Sequence, residues 1–336
     1  MDTQRVLLTL VLVAASLTVS MRADCQSSRY RVSPPVQHEN LSVFLIHGEN
    51  EAEHENVLTL QEAMDQGLLV VHETSSVNEL AVENRSPRYE VFIQSGDIVK
   101  GGKQDRVLSV DVIVPANSGK MPIAAFCVEA GRWQPRTGER SDNFASSNER
   151  IISKDLKLAA NKQRSQSEVW SKVAEVQEKL SSNVGTSVNS AASATSLQLS
   201  LENDKVSGSI DGYMKALSQA VNGKNDVVGY AFAINGRINS ADVYASNELF
   251  SKLWPKLLKA SATEAVAESN GEAAAAPATV VDVQALLGAT DNVESEERAV
   301  TARVKLVTRE SEDDIVFEAL DQESEAAIHR SYVKKH

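Results

Sequence analysis

Apolar residues fall in two rhythms along the chain. Up to Trp133 they alternate or cluster in short runs, the pattern of β-strands; beyond Asn143 they recur at three and four, the pattern of amphipathic helices. Leu41–His47 is the first β-rich run and stops at Gly48. Thr59–Gly67 fits a short helix, with Thr59 as cap, Glu62 three residues on and Gly67 as terminator. Leu68–Glu73 and Ser76–Arg85 predict two strands, the second closed by Ser86-Pro87. Tyr89–Gln94 alternates and breaks at Ser95-Gly96-Asp97. Val107–Val114 predicts a single strand with Val107, Val110, Val112 and Val114 inward, and Ile123–Val128 predicts the next.

In the second half, Ile151, Ile152, Leu156, Ala159 and Ala160, then Val169, Trp170, Val173, Val176 and Leu180, predict one long helix or two. Ser181–Ser200 has the composition of a loose connection. A further helix is expected over Asp204–Val221. Val227–Tyr244 reads as a hairpin turning at Asn235-Gly236, the preferred type I′ pair. Ser246 caps a helix bearing Leu249, Phe250, Leu253, Trp254, Leu257 and Leu258, which Pro255 is expected to kink or interrupt. Ala299–Thr308 and Ile315–Leu320 are strand-like, and Ala326–Val333 reads as a third strand or a short helix.

These elements predict an α+β fold: a mainly antiparallel sheet covered on one face by helices from the second half. A β-roll with helical insertions is the alternative. The organisation expected is an extended segment over 21–34, a main domain over 35–260, an Ala/Glu-rich linker over 261–278, and an acidic tail or small β-rich subdomain over 279–336. That last piece is too short to build a comfortable core alone.

Composition changes the picture in three ways. The net charge of −12 is concentrated at the end, where residues 262–336 hold 16 acids and 7 bases. A balance of this kind argues against nucleic-acid binding, which needs clustered cations. Met1–Ser20, with Arg5 ahead of the apolar run Val6–Val19, reads as a secretory signal peptide cut after Ser20 or Ala23. The run is shorter than the roughly 20 apolar residues a span needs, so no stable membrane span is expected after cleavage, and the mature chain is expected in the periplasm, the cell envelope or outside the cell. Of the two cysteines, Cys25 lies in a polar lead-in and Cys127 in mid-strand, which favours a buried, unreactive Cys127 over a bridge.

Candidate chemistry concentrates between Ser95 and Trp133. Gly101 and Gly102 permit a positive φ or a close approach, and are followed by Lys103, Gln104, Asp105 and Arg106; Glu129, Arg132 and Trp133 lie at the exit of the next strand. Arginine grips carboxylate or phosphate in a fork, an amide both donates and accepts, and Trp133 offers a stacking face. The functional reading is a site for an anionic small molecule, a glycan or a peptide terminus. The bland reading is a turn whose charges pair locally. Gly-Gly-Lys here is no phosphate-binding P-loop, because the spacing is missing and a strand follows where a helix is needed. His47 and His54 among Glu49, Glu51, Glu53 and Glu55 match no zinc spacing and read as a solvated loop. No motif marks a nucleophile with its base, and nothing in the sequence points to a particular cofactor.

The motifs SGDIVKGGKQDR and FCVEAGRW resemble the ARG- and rhodanese-phosphatase-superfamily-associated protein domain, a family of unassigned function, over about residues 35–258. The resemblance implies one main domain, with Gly101, Gly102, Lys103, Gln104, Asp105 and Arg106, together with Glu129, Gly131, Arg132 and Trp133, as signature positions. It implies no reaction. Three functions stay open: an exported binding module, a hydrolase using Asp105 and Glu129 as a carboxylate pair, and an architectural envelope protein whose tail mediates assembly.

Overall fold

The computed structural model describes residues 29–52, 56–270, 272 and 276–336. The expected signal peptide, Cys25 and His54 lie outside them. The chain opens with β1 (Arg31–Val32), β2 (Val36–His38) and β3 (Leu41–His47). There follow β4 (Val57–Thr59), α1 (Leu60–Asp65), β5 (Leu69–Ser76), β6 (Glu79–Asn84), β7 (Glu90–Ile93), β8 (Ile98–Gly101), β9 (Arg106–Leu108), β10 (Val112–Val114), β11 (Gly119–Cys127) and β12 (Phe144–Ala145). Thr59 caps α1 in a full capping box with Glu62, as the spacing predicts.

The helical half holds α2 (Lys154–Leu158), a π-turn at Ala159–Gln163, α3 (Gln166–Val184), α4 (Leu197–Leu201) and α5 (Asp204–Leu217). Then come β13 (Val227–Ile234) and β14 (Arg237–Tyr244), joined through Asn235 and Gly236, both at positive φ as a type I′ turn requires. The chain ends with α6 (Asn247–Ala267), α7 (Val280–Gly288), β15 (Ser295–Ala299), β16 (Val304–Glu310), β17 (Asp314–Asp321) and β18 (Ala326–Lys334).

The fold is α+β. A nine-stranded sheet runs β1-β3-β13-β14-β18-β17-β16-β15, with β2 also paired to β3; a six-stranded sheet runs β12-β8-β9-β11-β6-β5; and β10-β7-β4 form a third. Among the described residues all strand pairings are antiparallel except β4 with β7. In β3 and β13 every residue is buried. Val43, Leu45, Tyr230 and Phe232 face the helices, meeting Phe250, Trp254 and Leu257 of α6. Phe44, Ile46 and Ala231 face the other way, toward Val283 and Leu286 of α7. Burial on both faces explains why Leu41–His47 reads as a near-continuous apolar run.

Four expectations are corrected. Val107–Val114 is two strands in two sheets: its valines are all buried, but Asp111 leaves the ladder, Oδ1 accepting from the Ser95 N–H at 2.6 Å, and the chain turns there. Pro255 does not interrupt α6. It sits on the exposed side of the helix, as does Ser251 four residues earlier, whose carbonyl a proline at 255 cannot bond. Ser261–Ala267, expected as linker, continue α6, because Ala262, Ala265 and Val266 pack into the main core; small residues there fit a close helix contact. Within Ser181–Ser200, α3 runs on to Val184 and Ser196 caps α4, whose Leu197 and Leu201 are buried. The tail strands add to the main sheet, β18 pairing with β14 from Ser240↔Val333 to Tyr244↔His329. Among the described residues no helix is long and apolar enough to cross a membrane.

Candidate functional site

The Gly101–Arg106 turn joins β8 to β9, which pair antiparallel through Ile98↔Val107 and Val99↔Arg106. Gly101 has φ 106° and Gly102 φ 55°, and a Cβ on Gly102 would lie 2.5 Å from the Phe144 ring. Only glycine meets both demands. The turn is pressed beneath β12, whose Phe144 pairs with Gly101.

Asp105 and Glu129 are fully buried and saturated. Asp105 Oδ1 accepts from the Gly101 N–H (2.9 Å) and Arg136 Nη2 (2.6 Å); its Oδ2 accepts from Arg136 Nη1 (2.8 Å) and Ser196 Oγ (2.7 Å). Glu129 Oε1 accepts from Arg132 Nε (2.6 Å), and Oε2 from Arg132 Nη2 (2.8 Å) and the Asp105 N–H (3.1 Å). Two arginine forks thus close on two carboxylates, with Glu139 at the rim. Burial pushes Asp105 up from the ordinary carboxylate range, only partly offset by Arg136. Burial pushes Glu129 the same way, but Arg132, Ser193 and the Asp105 N–H together hold it below that range. Gln104 is also committed, its Nε2 donating to the Glu129 carbonyl at 2.8 Å. Arg140 pairs with Asp142 at the surface, away from this network.

Arg106 differs. Its side chain is completely buried, yet among the described residues Nε and Nη2 have no hydrogen-bond acceptor. Nη1 lies 2.7 Å from Cys127 Sγ and 3.4 Å from Gln104 Oε1, and the Glu73 carboxylate stands 3.6 Å from Nη2, close enough to balance charge but not to bond. Burial pushes the Cys127 thiol up to about 11, with Arg106 opposing; among the described residues Cys127 is a free, buried cysteine. Trp133 stands over the guanidinium, its ring centre 5.7 Å from Cζ, and the Lys103 ammonium lies 5.5 Å from the same ring. Trp133 is 47% exposed. Lys103 Nζ donates to Ser75 Oγ at 2.8 Å.

Two constellations escaped the sequence reading. His329 of β18 is buried between Asp111 (Nδ1 to Oδ2, 2.8 Å) and Asp242 (Nε2 to Oδ1, 3.1 Å), its ring stacked on Tyr244. A cavity of about 20 Å³, room for one water, lies beside it, bordered by the polar Arg150, Lys157 and Asn161 and by the apolar Val300, Leu306 and Phe317. Burial pulls His329 down, but Asp111 and Asp242 more than offset it and push it up to about 9. With a carboxylate on each nitrogen, His329 is a held cation. The second is a serine–histidine pair, where no nucleophile with its base was expected: Ser33 Oγ lies 2.6 Å from His47 Nε2. Neither has a local signal, since Asp111 and His329 are separated by 218 residues and Asp226, beside His47, is the residue just before β13.

A model of the ARG and Rhodanese-Phosphatase-superfamily-associated Protein domain matches residues 29–333. The match runs past the expected limit near residue 258 and takes in α7 and β15–β17 with nearly all of β18. No curated protein and no solved structure matches the chain.

Proposed function

We propose, for a chain that belongs to the ARG and Rhodanese-Phosphatase-superfamily-associated Protein domain family, an exported binding protein that holds an anionic group at Lys103, Arg106 and Trp133. The supporting observation is Arg106: a wholly buried guanidinium with two nitrogens short of acceptors, beneath a half-exposed tryptophan. A buried donor without a partner costs about 1–3 kcal/mol, more when charged, and a ligand carboxylate or phosphate removes that cost. Trp133 turns aside to admit it and stacks on the rest of the ligand, while Lys103 adds a second cation. Gly101, Gly102, Gln104, Asp105, Glu129 and Arg132 build the turn that presents these three. Ligand classes that fit are a small-molecule anion, an acidic glycan and a peptide carboxyl terminus. Export rests on the expected signal peptide.

The test is titration of the purified chain with inorganic phosphate, citrate and glucuronate, read by tryptophan fluorescence and thermal melting. A probe at 100 times its dissociation constant adds about 2.7 kcal/mol of stability. Arg106→Lys, which keeps the charge and removes the fork, weakens binding by at least ~10-fold. Lys103→Ala weakens it while leaving the melting temperature of the free chain unchanged. Binding at wild-type strength in both variants, or no response to any of the three anions, overturns the reading.

A further inference from the structure

Three neighbouring strands of the nine-stranded sheet bring three polar residues into line at one end. Ser33 follows β1, His47 closes β3, and Asp226 immediately precedes β13. Arg31 pairs with His47 and Val32 with Ile46, and the Ser33 N–H donates to the Leu45 carbonyl at 2.9 Å. That register sets Ser33 diagonal to His47 on the same face, where side chains of adjacent strands meet. On the other side Val227 pairs with His47, which brings Asp226 to the imidazole edge.

The resulting geometry is ordered as a relay. Ser33 Oγ is 2.6 Å from His47 Nε2, and His47 Nδ1 is 2.9 Å from Asp226 Oδ1. Arg31 Nη2 holds the other carboxylate oxygen at 2.9 Å. The ring nitrogen facing a hydroxyl accepts its proton when the opposite nitrogen carries N–H toward a carboxylate, which is the logic of an activated serine. The Nδ1–H is not aligned on the Asp226 oxygen; such bonds commonly tighten as substrate seats. His47 is 6% exposed, Ser33 is partly exposed, and His47 and Asp226 border an open cleft of about 790 Å³ with Arg31, Tyr30 and Glu51.

We propose that Ser33 is a nucleophile for acyl transfer from esters, with His47 as its general base and Asp226 as the residue that positions the ring. Ser33 Oγ bonds to the acyl carbon as its proton passes to His47 Nε2. Collapse of the tetrahedral adduct breaks the bond to the leaving oxygen, which takes that proton and departs as an alcohol. Water then attacks the acyl-serine with the same base, releasing a carboxylic acid and restoring Ser33. Pro34 and Pro35 follow Ser33, so the two residues after the nucleophile have no backbone N–H to offer the oxyanion. Arg31, on the same strand side, is the charged donor at hand. The substrates that suit such a site are activated esters, which need little help at the oxyanion. None of Lys103, Arg106 and Trp133 takes part.

The experiment uses a fluorophosphonate probe and p-nitrophenyl acetate with the purified full chain. A single phosphonyl adduct is expected, mapped to Ser33 by peptide mass spectrometry, together with a burst of p-nitrophenolate. Ser33→Ala abolishes both with an unchanged circular dichroism spectrum. His47→Gln lowers the labelling rate by at least ~100-fold. Asp226 is 57% exposed, so Asp226→Asn folds and still slows labelling, which keeps the test open if His47→Gln fails to fold. Absence of a Ser33 adduct in the wild-type chain, or equal labelling rates in the wild type and Asp226→Asn, overturns the proposal.

Discussion

The Asp105 carboxylate accepts four hydrogen bonds, two of them from one arginine, with no contact to solvent. A carboxylate so placed is costly to remove, because its partner remains. Asp105→Ala removes the two-pronged acceptor of the Arg136 guanidinium, only 8% exposed, and leaves it the rim carboxylate of Glu139. Breaking one half of a buried pair costs about 3–5 kcal/mol, so urea unfolding of Asp105→Ala is expected to show a loss of that size. A loss under about 1 kcal/mol, the value of an exposed pair, would mean that water reaches the network. The residue types of this site were legible in the sequence: glycines for positive φ, arginines for forks, a tryptophan for stacking. Their division of labour was not, since which arginine closes on which acid depends on Arg132 and Arg136 folding back over the turn.

Elements carry the next layer. Ser196 serves two structures at once: its Oγ accepts from the Leu199 N–H as the cap of α4 and donates to Asp105 Oδ2 at 2.7 Å. The serine-rich stretch around it therefore ties the helical layer to the β8–β9 turn. Ser196→Ala loses a cap, worth about 0.5–2 kcal/mol, and one bond to a buried charge, worth about 1.5–3 kcal/mol. The expected destabilisation is about 2–5 kcal/mol by urea titration, against about 1 kcal/mol for a cap alone. Local chemistry announced the α1 capping box, the Asn235-Gly236 hairpin and the helical periodicity of α3, α5 and α6, because each is encoded within a few residues. It misread Ser261–Ala267 and Pro255, where a core contact and a solvent-facing side decided the outcome.

At the scale of the whole molecule, His329 fastens separate pieces together. It belongs to β18 of the nine-stranded sheet, but it pairs with Asp111 from the turn between β9 and β10, and Gln94, next to β7, packs against it while donating to the Tyr244 hydroxyl. The groups facing it are Asp111, Asp242, Gln94 and Tyr244, with Lys157 and Arg150 near Asp242. Its folded pKa, about 9, is raised above the ordinary 6.5. The stabilisation is therefore complete below about pH 6.5 and is lost as pH climbs through 9, a change of about 3 kcal/mol. Urea unfolding at pH 6.5 and 9.5 should show that fall in the wild type, and His329→Gln should be less stable but flat across the window. A flat wild-type profile would mean that His329 is neutral in the folded chain.

By itself the sequence determined the α+β class, most element positions, the two glycines of the central turn and the residue types gathered there. These follow from periodicity, capping and turn chemistry, which act over a handful of residues. Only the tertiary structure decided that Asp105 and Glu129 are spent on arginines, that Arg106 is left short of acceptors, that the tail completes the main sheet, and that Ser33, His47 and Asp226 meet. Each of those depends on the register between strands far apart in the chain, and hydrogen-bond partners chosen by register leave no trace in local spacing.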